Sequence, residues 1–554
     1  MSYRSPAILL LLLFLGLYLL PLNSRPLLMK DETRYAEVPR EMVASGDWVV
    51  PRINNFRYFE KPALGYWLTA VSLSVFGENN FAVRFSSAIS TGLTAALIYF
   101  MCFHFFCRRR HLPWLAVLIY LSSLGVTAIG TFAVLDTSLS LFLTAAMVSF
   151  FLATEEKPGS GKEKVFLAIA GICAGSAFLI KGFLAFAVPV LVIVPYFILQ
   201  KRWVDIVRMA FLPFLFAFLI SLPWSIMIYL REPDFWNYFF WVEHIHRFFS
   251  PESQRAQPIW FFLAVLPAMF LPWIFMLPAA IRGTTCIHPN HKEKRAVLFC
   301  LCWFILPFIF FSVSTSKLVT YILPCFPPLT ILFALGLNQW LSPEMRKSKE
   351  LQWGITILMV VLFTTIVALV GGYLFNIQSI QVFQESTKLY TLAAVLIAML
   401  VLLFVALKNN SAGKKLIFYA LSFCLLLFTA NFIIPTQVLR KEAPGLFLER
   451  YAQSITKETY ILSGGNTIRA VCWYLQRNDI YLIDKQDELT YGINYPDSRH
   501  KMLSVEGSNA FIRKHRGQTV LFAEEDDFNR WRPFLPEPVS IDSNGPDGFL
   551  LVHF

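Results

Sequence analysis

Long uninterrupted apolar runs, separated by short polar and mostly basic intervals, dominate the first four fifths of the chain. They cover roughly Pro6 to Leu22, then 82 to 106, 113 to 153, 165 to 199, 208 to 230, 259 to 281, 296 to 341, 353 to 376, 389 to 407 and 416 to 435. A helix rises about 1.5 Å per residue and a bilayer core is about 30 Å thick, so about 20 residues make one crossing. Runs 113 to 153, 165 to 199 and 296 to 341 overshoot that length and must fold back. The charges inside them are Asp136, Lys181 and Lys317, one near each middle. Folding at those points predicts about thirteen transmembrane helices. The first run ends in Pro-Leu-Asn-Ser-Arg without a small-residue cleavage site, so it reads as a retained span with its amino end inside.

From about residue 436 the pattern changes. Short β-branched stretches at 460–462, 480–483, 519–522 and 549–552 alternate with helical or turn-rich pieces, which predicts a small α/β domain over 436–554 behind a membrane domain over 1–435. Gly464-Gly465-Asn466 is most economically a turn.

Composition agrees. Of 554 residues, 56% are hydrophobic and 15% charged, against about 45–50% and 25% in soluble domains. The nine cysteines are scattered, eight of them in or beside apolar runs and Cys472 alone in a polar region, so no disulfide framework is implied. The net charge of +12 raises the question of nucleic acid. Its sources, however, are clusters between apolar runs: Arg108-Arg109-Arg110, Lys162 and Lys164, Lys201-Arg202, Lys292-Lys294-Arg295, Arg346-Lys347-Lys349, and Lys408, Lys414 and Lys415. With thirteen spans all fall on one side, the cytoplasm. The loop from about 23 to 81, the tips at Asp136, Lys181 and Lys317, the loop 231–258 and the carboxy-terminal domain then share the outer face.

The loop after the first span reads Lys30-Asp31-Glu32-Thr33-Arg34-Tyr35-Ala36-Glu37 and continues to Gly46-Asp47-Trp48. Asp31 is placed to cap, and Gly46 to end, a helix lying along the membrane surface with Trp48 at headgroup depth. Asp31, Arg34 and Tyr35 share a face of it. Asp31 and Glu32 diverge by about 100° and cannot aim at one atom. The bland alternative is a bare cap with solvated charges. Next comes Arg57-Tyr58-Phe59-Glu60-Lys61-Pro62. Pro62 suits the first turn of a second surface helix, with Tyr58, Glu60 and Lys61 in its entry turn. Alternating charge and aromatic rings at a lipid boundary suit a ligand with a phosphate head and a greasy tail, or else anchor the loop in the interface.

Asp136 and Lys181 are ionisable groups flanked by apolar sequence. Such a charge costs about 2.5 kcal/mol or more unless it meets water or a partner, which makes both functional candidates, although a hairpin tip needs something polar in any case. The ring-rich stretch Phe239-Phe240-Trp241-Val242-Glu243-His244-Ile245-His246 carries two histidines at i and i+2. Metal ligation wants i, i+4 on a helix, or alternation on a strand, plus a third ligand, so a divalent ion near Glu60 and His244 is the lesser reading, behind hydrogen bonding to a phosphate or sugar. Tyr321, one turn past Lys317, can reach the same region. The chain has no P-loop pattern, no Gly-rich dinucleotide fingerprint and no nucleophile elbow, which disfavours a nucleotide-driven pump or a nucleotide-sugar enzyme.

Two surface helices after the first span, an acidic motif at its outer end, about thirteen spans and an outer carboxy domain resemble the C-type (GT-C) membrane glycosyltransferases. Within them, Asp-Glu-Thr-Arg-Tyr-Ala-Glu (31 to 37), Arg-Tyr-Phe-Glu-Lys-Pro (57 to 62), Phe-Phe-Trp-Val-Glu-His-Ile (239 to 245) and Tyr-Gly-Ile-Asn-Tyr-Pro-Asp (491 to 497) resemble the lipid A aminoarabinose transferases of Gram-negative bacteria. That resemblance implies transfer of 4-amino-4-deoxy-L-arabinose from undecaprenyl phosphate to lipid A phosphates at the periplasmic face of the inner membrane, with polymyxin resistance as the outcome. It marks Asp31, Arg34, Tyr35, Tyr58, Glu60 and Lys61 as lining the site, and places Asp136, Lys181, His244 and Tyr321 at positions similar to the family's polar cavity residues. Asp31, Asp136 and Glu60 become the candidate catalytic carboxylates and the others candidate substrate contacts. A lipid-phosphate sugar carries its own leaving group, so no cofactor is required. The competing readings are another polyprenyl-phosphate sugar transferase, such as one that mannosylates proteins, and a lipid transporter or flippase.

Overall fold

The computed structural model describes residues 4–246, 256–341, 349–375, 385–484 and 487–554. Among them, ten helices are long and apolar enough to cross a membrane unaided: Pro6–Asn23, Asn80–Phe105, Asp136–Glu155, Gly161–Lys181, Trp203–Arg231, His291–Val313, Val319–Leu341, Lys349–Gly372, Ser386–Lys408 and Ala412–Ala430. Two further crossings are broken, Leu112–Leu121 with Leu124–Gly130 at 64° and Phe261–Met269 with Trp273–Thr285 at 92°. Local chemistry explains both. Ser122 and Ser123 turn their hydroxyls back onto the Leu118 and Ile119 carbonyls at 2.5 and 2.6 Å, a bond that bends helices. The second break falls at Pro272, which has no backbone N–H to continue the ladder.

A last apolar helix, Leu184–Leu199, has 16 residues with Pro189 and Pro195 inside it, about 24 Å of rise. Connectivity requires it to cross. Arg231 pairs with Asp47 of the first loop, and the Asp136 tip is tied to that loop through the Ala133 N–H, which donates to Glu32 at 3.1 Å. Lys181 pairs with Asp136, so the ends of Gly161–Lys181 and Trp203–Arg231 share one face. Between them Arg202 reaches the Thr154 carbonyl, at the far end of the Asp136–Glu155 helix. The described residues thus account for thirteen crossings, in line with the about thirteen helices expected from run lengths, with two of the crossings broken and one short. Leu11, Phe103, Phe214, Leu230 and Val401 stand exposed on these helices, a surface that only lipid covers favourably.

The first surface helix is Asp31–Ser45 and ends at Gly46, whose φ of +71° is the left-handed conformation glycine supplies freely. Its start corrects the expectation. Lys30 occupies the cap position and Asp31 is the first helical residue, with no side-chain capping bond. Glu32 sets the entry instead, accepting the Leu28 N–H at 3.0 Å, with Asp31 turned about 100° away from it around the helix. Strands β1 (Arg52–Ile53) and β2 (Phe56–Arg57) form a hairpin whose two turn residues, Asn54 and Asn55, both have positive φ. The buried Glu41 carboxylate accepts both of their N–H groups. The second surface helix runs Leu64–Phe76, two residues later than Pro62 suggested.

Beyond Thr436 a six-stranded mixed sheet forms from β3 (Tyr460–Gly464), β4 (Tyr481–Ile483), β5 (Met502–Leu503), β6 (Thr519–Glu524), β7 (Ser540–Ser543) and β8 (Phe549–His553), in the order β5-β4-β3-β6-β8-β7. The first four strands in that order are parallel and the last two antiparallel to their neighbours. Helices Ile468–Leu475, Val505–Lys514 and Glu525–Trp531 complete this α/β domain. It sits directly on the first loop. The Asn54 amide exchanges two hydrogen bonds with the Ile480 backbone at 2.7 and 3.0 Å, and Arg57 meets Asp497 at 2.8 Å.

Candidate active site

Four chain segments from the membrane domain converge under the carboxy-terminal domain, and a buried ionic lock fixes their positions. Arg84, at the head of the Asn80–Phe105 helix, grips Glu32 with two bonds of 2.7 and 2.8 Å, and Arg25 adds a third at 2.5 Å. Glu32 also accepts from Ala133, which anchors the turn leading into Asp136. Burial would raise the Glu32 pKa, but Arg84 and Arg25 outweigh it and hold the carboxyl at about 2. Of the adjacent acids, Glu32 is therefore the fastener and Asp31 the one left to face the site.

Asp136 opens its helix and Lys181 closes the next one. Each end suits its charge, since helix dipoles favour an anion at the amino end and a cation at the carboxy end. The two side chains meet at 2.5 Å. Gly182, with φ of +78°, ends the Lys181 helix and reverses the chain there. The Lys181 ammonium also lies 4.4 Å from the centre of the Tyr321 ring, so three hairpin tips come together.

Tyr35 links this group to the surface helix. Burial raises its pKa, Arg34 opposes the rise, and the charges of Asp31, Asp136 and Glu488 add to it, so the phenol stays protonated among three carboxylates. Its ring stacks on Tyr66 at 6.2 Å, and the buried Tyr66 hydroxyl has no hydrogen-bond partner among the described residues. Arg34 lies 3.5 Å from Asp31 and 2.8 Å from Glu488.

The Tyr58-to-Lys61 turn forms the other arm. Lys61 donates to the Glu60 carbonyl at 2.6 Å and pairs with Glu243 at 2.9 Å. Glu60 is buried, with Tyr238 at 3.5 Å and the Lys61 ammonium at 3.9 Å. The Tyr58 hydroxyl donates to Glu488 at 3.3 Å, and burial, foremost, pushes its pKa well up. The side chain of His244 lies outside the described residues. Asp31, Arg34, Tyr35, Asp136, Lys181 and Tyr321 are thus joined by contacts or close charges, while Tyr58, Glu60 and Lys61 reach them through Arg34, Tyr66 and Glu488.

Sequence reasoning passed over Glu488, Tyr66, Tyr238 and Glu243. Glu488 is the most consequential. A single oxygen of it receives Arg34 at 2.8 Å, Arg469 at 3.0 Å and Tyr58 at 3.3 Å, bringing the carboxy-terminal domain into the site wall. Nothing around Asp-Glu-Leu in the sequence marks it. Tyr66 and Glu243 did stand inside or beside quoted motifs, but their partners are distant in the chain.

Thirteen crossings among the described residues, with acids, cations and tyrosines gathered at one end of the bundle, have the layout of a membrane glycosyltransferase of the C type. The dolichyl-phosphate-mannose-protein mannosyltransferase family model matches residues 5–239, and the model for the carboxy-terminal domain of arabinosyl transferase ArnT matches residues 439–552. The undecaprenyl phosphate-alpha-4-amino-4-deoxy-L-arabinose arabinosyl transferase of Shewanella sediminis is 38% identical over 549 residues, spanning 99% of this chain and 98% of that one. Its Yersinia pestis counterpart is 40% identical over 518 residues, 92% and 91% of the two chains. The chain belongs to this arabinosyl transferase family. In fold it is similar to ArnT from Cupriavidus metallidurans bound to undecaprenyl phosphate, with a TM-score of 0.81 at 24% identity over 100% of this chain and 98% of that one. The Archaeoglobus fulgidus oligosaccharyltransferase AglB is a more distant fold relative, with a TM-score of 0.54 at 13% identity over 94% of this chain and 69% of that one.

Proposed function

We propose that the chain transfers 4-amino-4-deoxy-L-arabinose from undecaprenyl phosphate to the phosphates of lipid A, at the periplasmic face of the Gram-negative inner membrane, and so confers resistance to polymyxin and other cationic peptides. The observation that carries this reading is the Asp136–Lys181 pair at a lipid-level hairpin tip, within charge range of Tyr35 on the surface helix. Cations and carboxylates placed together there fit a reaction in which phosphate approaches a sugar carbon that is gaining positive charge.

An oxygen of the acceptor phosphate attacks the anomeric carbon, the bond from that carbon to the carrier phosphate oxygen breaks, and undecaprenyl phosphate leaves with the electron pair. Direct displacement inverts the anomeric centre. The acceptor is a phosphate monoester with a second pKa near 6, already ionised at neutral pH, so no strong general base is needed. Asp31 and Asp136 stabilise the oxocarbenium-like sugar, and Glu60 with the tyrosines orients its amino and hydroxyl groups. Lys61, Lys181 and Arg34 offset phosphate charge. Lipid-linked phosphate as leaving group makes a nucleotide unnecessary, and no cofactor enters any step.

Family membership favours this reading over protein mannosylation or lipid flipping. Mass spectrometry of lipid A from Gram-negative cells with and without the gene tests it. Pentosamine added to the phosphates only when the gene is present is the expected result, and unmodified lipid A in both strains would refute it.

A further inference from the structure

The cations that line the site are already neutralised by the protein. Arg34 faces Glu488, Lys61 faces Glu243 and Lys181 faces Asp136, at 2.8, 2.9 and 2.5 Å. Lys317 differs. It stands in the hairpin tip between the His291–Val313 and Val319–Leu341 spans and is 4% exposed, as closed off as Asp136 at 7%. Its ammonium donates to the Gln257 carbonyl at 2.7 Å, and among the described residues no carboxylate pairs with it. Burial holds its pKa below the ordinary lysine value, and no acid among the described residues opposes that shift. Ser316 Oγ and Thr320 Oγ1, in the same tip, are buried and unpartnered among the described residues. The tip is continuous with the site, because Tyr321 places its ring over Lys181 and the helical turn Val319–Cys325 packs on the helix that Asp136 opens.

A buried ammonium without a counter-charge is unfavourable, and a protein tolerates it where a ligand supplies the anion. The proposed reaction brings two phosphates together, and Arg34, Lys61 and Lys181 meet them with charge that each already shares with a carboxylate. We propose that Lys317 is a phosphate-binding residue, the cation that receives the phosphate of one of the two lipid substrates. This rests on the reading of the chain as a transferase acting between two phosphate-bearing lipids. The incoming phosphate oxygen takes over the ammonium hydrogen bond now made to the Gln257 carbonyl, and the Thr320 hydroxyl, three residues along, offers a donor.

The test uses the full-length protein in lipid nanodiscs, as the parent, Lys317→Met and Lys317→Arg. Thermal melting is recorded alone, with undecaprenyl phosphate, and with lipid A, and KM and kcat are measured for each lipid. Without added lipid, Lys317→Met melts at or above the parent, because it removes an unpaired buried charge, an outcome that a merely structural lysine would not give. It also loses about tenfold or more in affinity for one of the two lipids, seen as a higher KM with little change in kcat. Lys317→Arg restores that affinity. A loss confined to undecaprenyl phosphate assigns Lys317 to the donor, and a loss confined to lipid A assigns it to the acceptor. Unchanged affinity for both lipids in Lys317→Met, or melting well below the parent, overturns the proposal. Lys317-dependent lipid binding without any sugar transfer by the parent would instead sink the proposed function and leave this inference standing.

Discussion

Asp136 Oδ1 and Lys181 Nζ lie 2.5 Å apart, so the start of one span and the end of the next are locked together at the membrane boundary. Such a pair serves the fold and the chemistry at once, and the two contributions separate experimentally. Removing one partner strands the other charge in a poorly hydrated place, which costs about 3 kcal/mol in buried pairs. Asp136→Asn and Lys181→Met are each expected to lower the melting temperature of the detergent-solubilised protein and to abolish transfer. The double variant recovers most of the lost stability but no turnover. If the double variant also regains transfer, the pair is only structural.

Asp31 presents the opposite case. Its side chain is 43% exposed and its ion pair with Arg34 is a 3.5 Å approach, so its share of stability is below about 1 kcal/mol. Asp31→Asn should therefore melt within a few degrees of the parent while lipid A from cells carrying it as the only copy loses its pentosamine. Near-normal polymyxin resistance in those cells would remove Asp31 from the reaction.

How much of this could be read in the sequence depends on the range of each interaction. The spans and their turning points were legible because burying charge in hydrocarbon is costly enough that Asp136, Lys181 and Lys317 each mark a fold-back. The tail strands were legible as well, at 460, 481, 519 and 549, with the short β5 and the exposed edge strand β7 passed over. Broken crossings were not, since the serine back-bonds at 122 and 123 and the break at Pro272 do not interrupt an apolar run. In the site, Asp31, Arg34 and Tyr35 share a helix face by local spacing. The division of labour between Asp31 and Glu32 was invisible, because Glu32 is claimed by Arg84, 52 residues away. Glu488 was invisible for the same reason, more than 400 residues from Tyr58 and Arg34.

That long-range contact gives the carboxy-terminal domain a role in the site. Glu488→Gln keeps the shape of the side chain but removes the charge shared by Arg34, Arg469 and Tyr58. The domain stays docked through Asn54–Ile480 and Arg57–Asp497, so the fold is expected to persist. Loss of one charge-assisted bond to Arg34 predicts a fall in kcat/KM of about tenfold or more. Steady-state transfer with purified lipids measures this, and an unchanged kcat/KM would confine Glu488 to holding the domains together.

Glu32 should govern acid stability. Its carboxyl sits near pH 2 in the fold because Arg84 and Arg25 outweigh the effect of burial, whereas in the unfolded chain it titrates near the usual glutamate value of about 4.3. A depressed carboxylate pKa contributes stability in full above the unfolded value, and that contribution fades as pH falls from about 4.3 towards 2. The parent is therefore expected to lose melting temperature steeply across that window. Glu32→Gln, which cannot be ionised, should be destabilised at pH 7 by about 3 kcal/mol or more, since it leaves Arg84 and Arg25 buried without their shared counter-charge. Its melting temperature should then vary much less between pH 4.3 and 2 than that of the parent. Melting curves of both proteins at pH 7, 4 and 3 check the point. Parallel acid profiles would show that other carboxylates, Asp47 beside Arg231 or Asp497 beside Arg57 among them, set the acid limit instead, since both are also held below the ordinary aspartate value.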